Sequence, residues 1–157
     1  MSRRDQIRMS DDEVLAFLGE QRTVVCATNG RRGWPHLMPL WYVLRPTGED
    51  AAPELWAWTF AKSQKTRNLE RDPRATLQVE TGEAYEELRG VMLECDVVIH
   101  RDVEAIRGMA LELFERYTGV DDAVRAMVDT QAPKRVALQF AERHRASWDH
   151  RKLGGVY

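Results

Sequence analysis

Ser63 and Lys65 stand where a β-like run, Leu55-Trp56-Ala57-Trp58-Thr59-Phe60, gives way to Ala61-Lys62-Ser63-Gln64-Lys65-Thr66-Arg67-Asn68-Leu69-Glu70-Arg71-Asp72-Pro73-Arg74. A serine ahead of a helical run caps it, because its hydroxyl accepts from a first-turn amide. Asp72-Pro73 ends the run, since a residue before proline avoids the helical region. The start of such a helix offers free N–H groups, the positive end of the helix dipole, a hydroxyl and a lysine, which together suit an anion. Lys62, Lys65, Arg67, Arg71 and Arg74 face only Glu70 and Asp72 here, in a chain of formal net charge −2. Two readings stand side by side. Either Ser63 and Lys65 hold a phosphate, or the segment is a basic helix facing solvent.

Trp41, Tyr42, Trp56, Trp58 and Phe60 lie in the strands beside this segment. Aromatic faces make walls for a flat ring system, and they equally serve as core. Other chemistries find little support. His36, His100, His144 and His150 lack the spacing of metal ligands, and neither His-Glu-x-x-His nor Cys-x-x-Cys occurs, so no metal site is expected. Cys26 and Cys95 fall singly in apolar strand patterns and read as buried, reduced thiols. There is no Gly-x-Ser-x-Gly, no Gly-x-Gly-x-x-Gly and no Walker lysine loop. The overall charge argues against nucleic acid as a partner.

The elements that must position these residues follow from pattern. A length of 157 residues predicts one domain spanning 1–157. No apolar run approaches the ~20 residues of a membrane span. Met1-Ser2-Arg3-Arg4-Asp5 does not resemble a secretory leader, so a cytoplasmic protein is expected. Ser10 and Glu13 form a capping box, and Val14, Phe17 and Leu18 repeat at helical spacing, predicting a helix over about 11–19. Strands are predicted over 23–28, over a long return run 34–44, and over 55–60, 75–80, 89–100 and 136–140. Pro39 inside the return run marks an edge or a bulge. Asp102 caps a helix that Gly119 ends, a second helix covers 121–129, and 143–154 reads as a basic tail. The predicted fold is mainly β with accessory helices: about six antiparallel strands, best closed into a small barrel.

Several of these residues resemble a known family. Ala27-Thr28, Gly33-Trp34-Pro35-His36-Leu37-Met38-Pro39-Leu40-Trp41, Thr59 and the run from Ser63 to Arg74 are similar to the split β-barrel flavin and deazaflavin oxidoreductases, the pyridoxamine-phosphate-oxidase-like superfamily. Arg89-Gly90-Val91 and Ser147-Trp148-Asp149-His150-Arg151-Lys152-Leu153-Gly154 look like its actinobacterial B group, which uses coenzyme F420. The resemblance implies a homodimer of split barrels with cofactor sites at the interface. Lys65 and Ser63 would hold the cofactor phosphate, with Arg67 or Asn68 nearby, and Lys62 would meet the acidic tail of the deazaflavin. The ring would lie against Pro39, Leu40 and Trp41 and against Trp58, Thr59 and Phe60. Trp148, His150 and Arg151 would close the pocket or reach it from the partner subunit. Vitamin B6 oxidases end in an Arg-Leu-Ala-Pro type segment, whereas this chain ends Gly154-Gly155-Val156-Tyr157, which disfavours pyridoxamine phosphate as substrate. The implied activity is hydride transfer from reduced F420 to a small acceptor such as an enone, quinone or tetrapyrrole. The alternatives are an FMN oxidase or reductase of the same fold and an F420 carrier without turnover. Tyr42, His150 and water are the candidate proton donors.

Overall fold

The computed structural model describes residues 2–155, so Val156 and Tyr157 of the chain end lie outside the described residues. In chain order the elements are α1 (Arg3–Ile7), α2 (Asp11–Glu20), β1 (Val24–Asn29), β2 (Pro35–Leu40), β3 (Val43–Arg45), β4 (Glu54–Phe60), α3 (Gln64–Arg71), β5 (Arg74–Thr81), β6 (Arg89–His100), α4 (Val103–Tyr117), α5 (Asp122–Gln131) and β7 (Arg135–Asp149), with short 3₁₀ turns at Tyr85–Glu87, Ala132–Lys134 and His150–Leu153. All strands pair antiparallel in one sheet of order β2-β1-β5-β6-β7-β4-β3.

The two edge strands, β2 and β3, are neighbours in the chain, joined only by Trp41 and Tyr42. A sheet whose edges meet at one corner must roll up. The roll does not close, because β2 and β3 share no ladder. This agrees with the mainly β split barrel that the resemblance implies, corrects the closed barrel and the single return strand over 34–44 expected from pattern, and gives seven strands where about six were expected. The cause is Tyr42. Its side chain is fully buried, with its hydroxyl donating to Leu18 O at 2.6 Å and Gln21 O at 3.1 Å. Its backbone N–H donates to the Tyr117 hydroxyl at 3.1 Å, and its carbonyl accepts from Arg116 at 2.5 Å. Side chains of α4 thereby take the backbone groups that a continuous ladder would use.

The core fills the inside of the roll. Val24 and Cys26 of β1, Leu77 and Val79 of β5, Val91 and Leu93 of β6, and Leu138 and Phe140 of β7 all point inward. Helix α2 plugs one end with Val14, Phe17 and Leu18. Its capping box is present: Ser10 Oγ accepts from Glu13 N at 3.2 Å, and Glu13 accepts from Ser10 N at 2.7 Å. Leu69 of α3 joins the same core. A second apolar layer lies outside the roll, where Ile106, Met109 and Leu113 of α4 cover Val43 and Ala137, with Trp56, Trp58 and Tyr117 packed against them.

The last strand runs well past the predicted 136–140 and absorbs most of the basic tail. Its second half is charged because one side faces solvent, and its register against β6 slips once, between Glu94 and Cys95, leaving Arg143 unpaired as a bulge. Near its end Trp148 lies opposite Gly90, and a Cβ built on Gly90 would stand 2.1 Å from Trp148 Cζ2. The indole occupies the space that a side chain would need. Gly90→Ala is therefore expected to lower stability by about 1–3 kcal/mol, the cost of overpacking, measured by urea unfolding. Gly90→Ala combined with Trp148→Leu should recover most of the loss, and an unchanged single variant would show that the indole does not rest on Gly90.

Candidate functional site

The helix start predicted at Ser63 forms as α3. Ser63 Oγ accepts from Thr66 N at 3.2 Å and lies 3.0 Å from Thr66 Oγ1, which donates to Phe60 O at 3.0 Å. The chain thus leaves β4 by a tight corner fixed by hydroxyls. Lys65, the second residue of the helix, does not reach out to water. It is 4% exposed, and its ammonium donates to Thr59 Oγ1 at 3.1 Å. The strand period explains this direction, because Leu55, Ala57 and Thr59 are the inward residues of β4 and Lys65 follows Thr59 into the roll. Burial holds its pKa below the ordinary range, and the nearby Cys26 thiol only partly offsets that. No described carboxylate pairs with it.

Further buried polar groups lie on α3 and the strands beside it. Asn68 donates to Thr28 Oγ1 at 3.0 Å and accepts from Gln64 at 2.8 Å. His36 of β2 stands opposite Thr28 in the ladder, and its Nδ1 is buried without a partner. The other cations of the segment divide in two. Arg74 is neutralised by Asp72 at 2.7 and 2.9 Å, and Arg71 donates to Asn29 O and Asn68 Oδ1. Lys62 and Arg67 are exposed, with no ion pair among the described residues. The excess of positive charge read from the sequence thus reduces to Lys65 inside and to Lys62 and Arg67 outside.

The aromatic residues form a strip on the outer face of the roll. Trp58 and Trp41 both meet Phe114 edge-on, with centroids 5.8 and 6.2 Å away, and Trp41 stacks on Tyr117 at 4.4 Å. Phe60 continues the strip and is half exposed. The guanidinium of Arg135 lies over Trp58 at 4.4 Å and over Phe60 at 3.8 Å. Pro39 and Leu40 close the edge strand β2, opposite Val25 and Val24. Phe114, Tyr117 and Arg135 escaped the sequence reading as site residues, and Thr28 entered it only through the family resemblance, because they reach this region through register and helix packing, which adjacent residues do not reveal.

The tail residues sit elsewhere. Thr28 pairs with Ala75, and Ala75 with Cys95, whereas Trp148 pairs with Gly90, five residues back along β6. At ~3.4 Å per residue the separation is about 17 Å. His150 Nδ1 lies 2.9 Å from Tyr85 O, and Arg151 is held by Asp149 at 2.7 and 2.9 Å. Within one chain, Trp148, His150 and Arg151 do not close over Lys65. Tyr42 is also removed as a proton donor, because its hydroxyl is sealed against the end of α2. A groove of about 1100 Å³, floored by Leu18, Leu44, Leu55 and Phe140, opens beside α2 and does not include Lys65.

Cys26 and Cys95 are buried free thiols, as expected, and burial pushes each up to about 12. Neither is a nucleophile near neutral pH. The described residues contain no cluster of His, Cys, Asp and Glu able to hold a metal, and no helix among them is long and apolar enough to cross a membrane.

Comparison with solved structures places this arrangement among relatives. The conserved hypothetical protein Rv2991 from Mycobacterium tuberculosis is 40% identical, with a TM-score of 0.86 over 100% of this chain and 95% of that one. An F420 reductase (21% identity, TM-score 0.64, 83% of this chain and 94% of that one) and the heme storage protein HutZ from Vibrio cholerae (16% identity, TM-score 0.64, 85% and 90%) share the fold. No curated protein matches. The family model for pyridoxamine 5'-phosphate oxidase covers residues 10–148, and with the curled antiparallel half-barrel it shows that this chain belongs to the pyridoxamine 5'-phosphate oxidase-like split-barrel family.

Proposed function

We propose that the chain is a deazaflavin-dependent oxidoreductase that binds coenzyme F420 and reduces a small organic acceptor such as an enone, quinone or tetrapyrrole. The observation that carries this reading is Lys65, a buried ammonium with a hydroxyl partner and no acid among the described residues. An isolated buried charge is costly, and a phosphate seated on Ser63, Lys65 and the first amides of α3 compensates it. Arg67 and Asn68 flank that seat, and Lys62 stands exposed for a carboxylate beyond it. A planar ring fits the strip of Trp41, Trp58 and Phe60, near Thr59 and the end of β2 at Pro39 and Leu40. When bound, reduced F420 supplies the hydride. The chain's own residues hold the phosphate, orient the ring and exclude water. Deazaflavin use rests on the resemblance of the Ser63–Arg74 run and on an F420 reductase sharing the fold.

The assembly proposed with this function is a homodimer. Edge strand β2 exposes Leu37 and Met38, and Trp34 before it is 75% exposed, a surface suited to burial against a second copy. A partner subunit also offers the route by which Trp148, His150 and Arg151 reach a cofactor, since within one chain they lie far from Lys65.

Titrating the apo-protein with F420 and with FMN tests the cofactor, and clear preference for FMN would replace the deazaflavin by a flavin. Catalytic oxidation of F420H2 in the presence of an acceptor excludes a carrier without turnover. Lys65→Ala is expected to weaken binding by about 1.5–3 kcal/mol, the range for a hydrogen bond to a charged group. Unchanged affinity would place the phosphate elsewhere.

Lys65 also makes a stability prediction. Its folded pKa lies below the ordinary 10.5. Between the two values the unfolded chain binds more protons than the folded one, so stability rises with pH through that window. Lys65→Met removes the cost of burying a charge. The apo variant should be more stable than wild type at pH 7, and its stability should rise less steeply toward pH 10.5. Urea unfolding across pH 7 to 10 measures this, and a less stable variant at pH 7 would show that the ammonium is already compensated.

A further inference from the structure

We propose that Arg135 is the second anion-binding cation of this corner, placed to take a further negative charge on the ligand whose phosphate Lys65 holds. The proposal rests on the phosphate reading of Lys65 and extends it to a residue at the start of the last strand. Arg45, Arg89, Arg107 and Arg145 are half-buried arginines paired with carboxylates, and Arg116, likewise half-buried, donates to four backbone carbonyls. Arg135 is buried to the same degree and its guanidinium has neither: the described residues give that group no ion pair and no hydrogen bond, and its Nε is buried without a partner. What holds it is aromatic. Its guanidinium lies over Phe60 and Trp58 at 3.8 and 4.4 Å, an arrangement that fixes the plane of the fork and leaves its donors unspent.

Position ties this fork to the same corner. Arg135 is the ladder partner of Phe60, and the Phe60 carbonyl accepts from Ser63 N at 3.0 Å and from Thr66 Oγ1 at 3.0 Å. Ala61 N donates to Lys134 O at 3.0 Å, closing the corner from the other side. Arg135 and Lys65 also feel one another, since the guanidinium charge contributes to lowering the Lys65 pKa, after burial. Two cations within one field, neither with an acid among the described residues, suit a ligand bearing more than one negative charge there. A phosphate monoester such as that of FMN brings a second charge on the phosphate itself. A phosphodiester with neighbouring carboxylates, as in F420, brings it on the substituents.

The test uses the full-length apo-protein and its Arg135→Gln and Arg135→Met variants, titrated with FMN, F420 and riboflavin and followed by fluorescence, with thermal unfolding of each variant recorded alongside. Arg135→Met retains packing against both rings and is read if Arg135→Gln does not fold. The expected result is a loss of about tenfold or more in affinity for the charged cofactor that wild type binds, with riboflavin binding unchanged. A larger loss for FMN than for F420 puts the second charge on the phosphate, and the reverse puts it on the carboxylates. Wild-type affinity in the charge-free variants, with Lys65→Ala still weakened, overturns the role of Arg135 and leaves the phosphate reading intact. If wild type binds neither FMN nor F420 better than riboflavin, both fail together.

Discussion

The structure depends on the corner at Tyr42, where the two edge strands of a rolled sheet meet without pairing. Four carbonyls around that corner, those of Leu18, Gly19, Gln21 and Tyr42, accept from one guanidinium, Arg116. Three of them belong to the end of α2 or the residue after it, where helix carbonyls run out of internal donors. Each such bond to a charged donor contributes roughly 1.5–3 kcal/mol. The hydroxyls of Tyr42 and Tyr117 complete the set. One turn of α4 thus fastens the plug helix, the break between β2 and β3 and the outer face of β4 together.

That fastening decides where a ligand can be handled. With α4 held across β4, the outward residues Trp56 and Trp58 are covered by Ile106, Met109, Leu113 and Phe114, and the aromatic strip extends toward Trp41. The inward residue Thr59 meanwhile receives Lys65. Strand β4 therefore presents two faces by its pleat: the aromatic strip outside, and inside the apolar core of Leu55 and Ala57, with Thr59 and one buried cation at its end. Both end at the Phe60–Ser63 corner, where strand becomes helix. Because the barrel is split, β2 keeps a free edge and apolar side chains beside it.

Local chemistry was legible in the sequence and distant geometry was not. Ser10, Ser63 and Asp102 each cap the helix that follows them, because capping involves only residues three apart, whereas Asp121, read as the first residue of its helix, is also a cap. Strand β6 was legible because Val91, Leu93, Cys95 and Val97 alternate inward without interruption. Strand β7 was legible only to Phe140, since beyond it the charged run from Glu142 to Arg145 hides a strand with one wet side and a bulge. The break at Tyr42 was invisible, because the groups that compete for its backbone come from Arg116 and Tyr117, more than seventy positions away in the chain. Lys65 was recognised as a cation but not as a buried one, and Arg135 could be found only through its register with Phe60.

The geometry also constrains the chemistry by subtraction. The Tyr42 hydroxyl is sealed against the end of α2, His150 is held by Tyr85 O beyond the end of the last strand, and both thiols are protonated up to about 12. Beside Lys65 the described hydroxyls and amides are committed to one another, from Thr59 and Ser63 to Asn68 and Thr28. What this corner can do alone is bind a charge and position what is attached to it, since positioning needs only fixed donors. Within one chain the corner offers one buried cation and fixed donors, and no described side chain beside it is free to pass a proton.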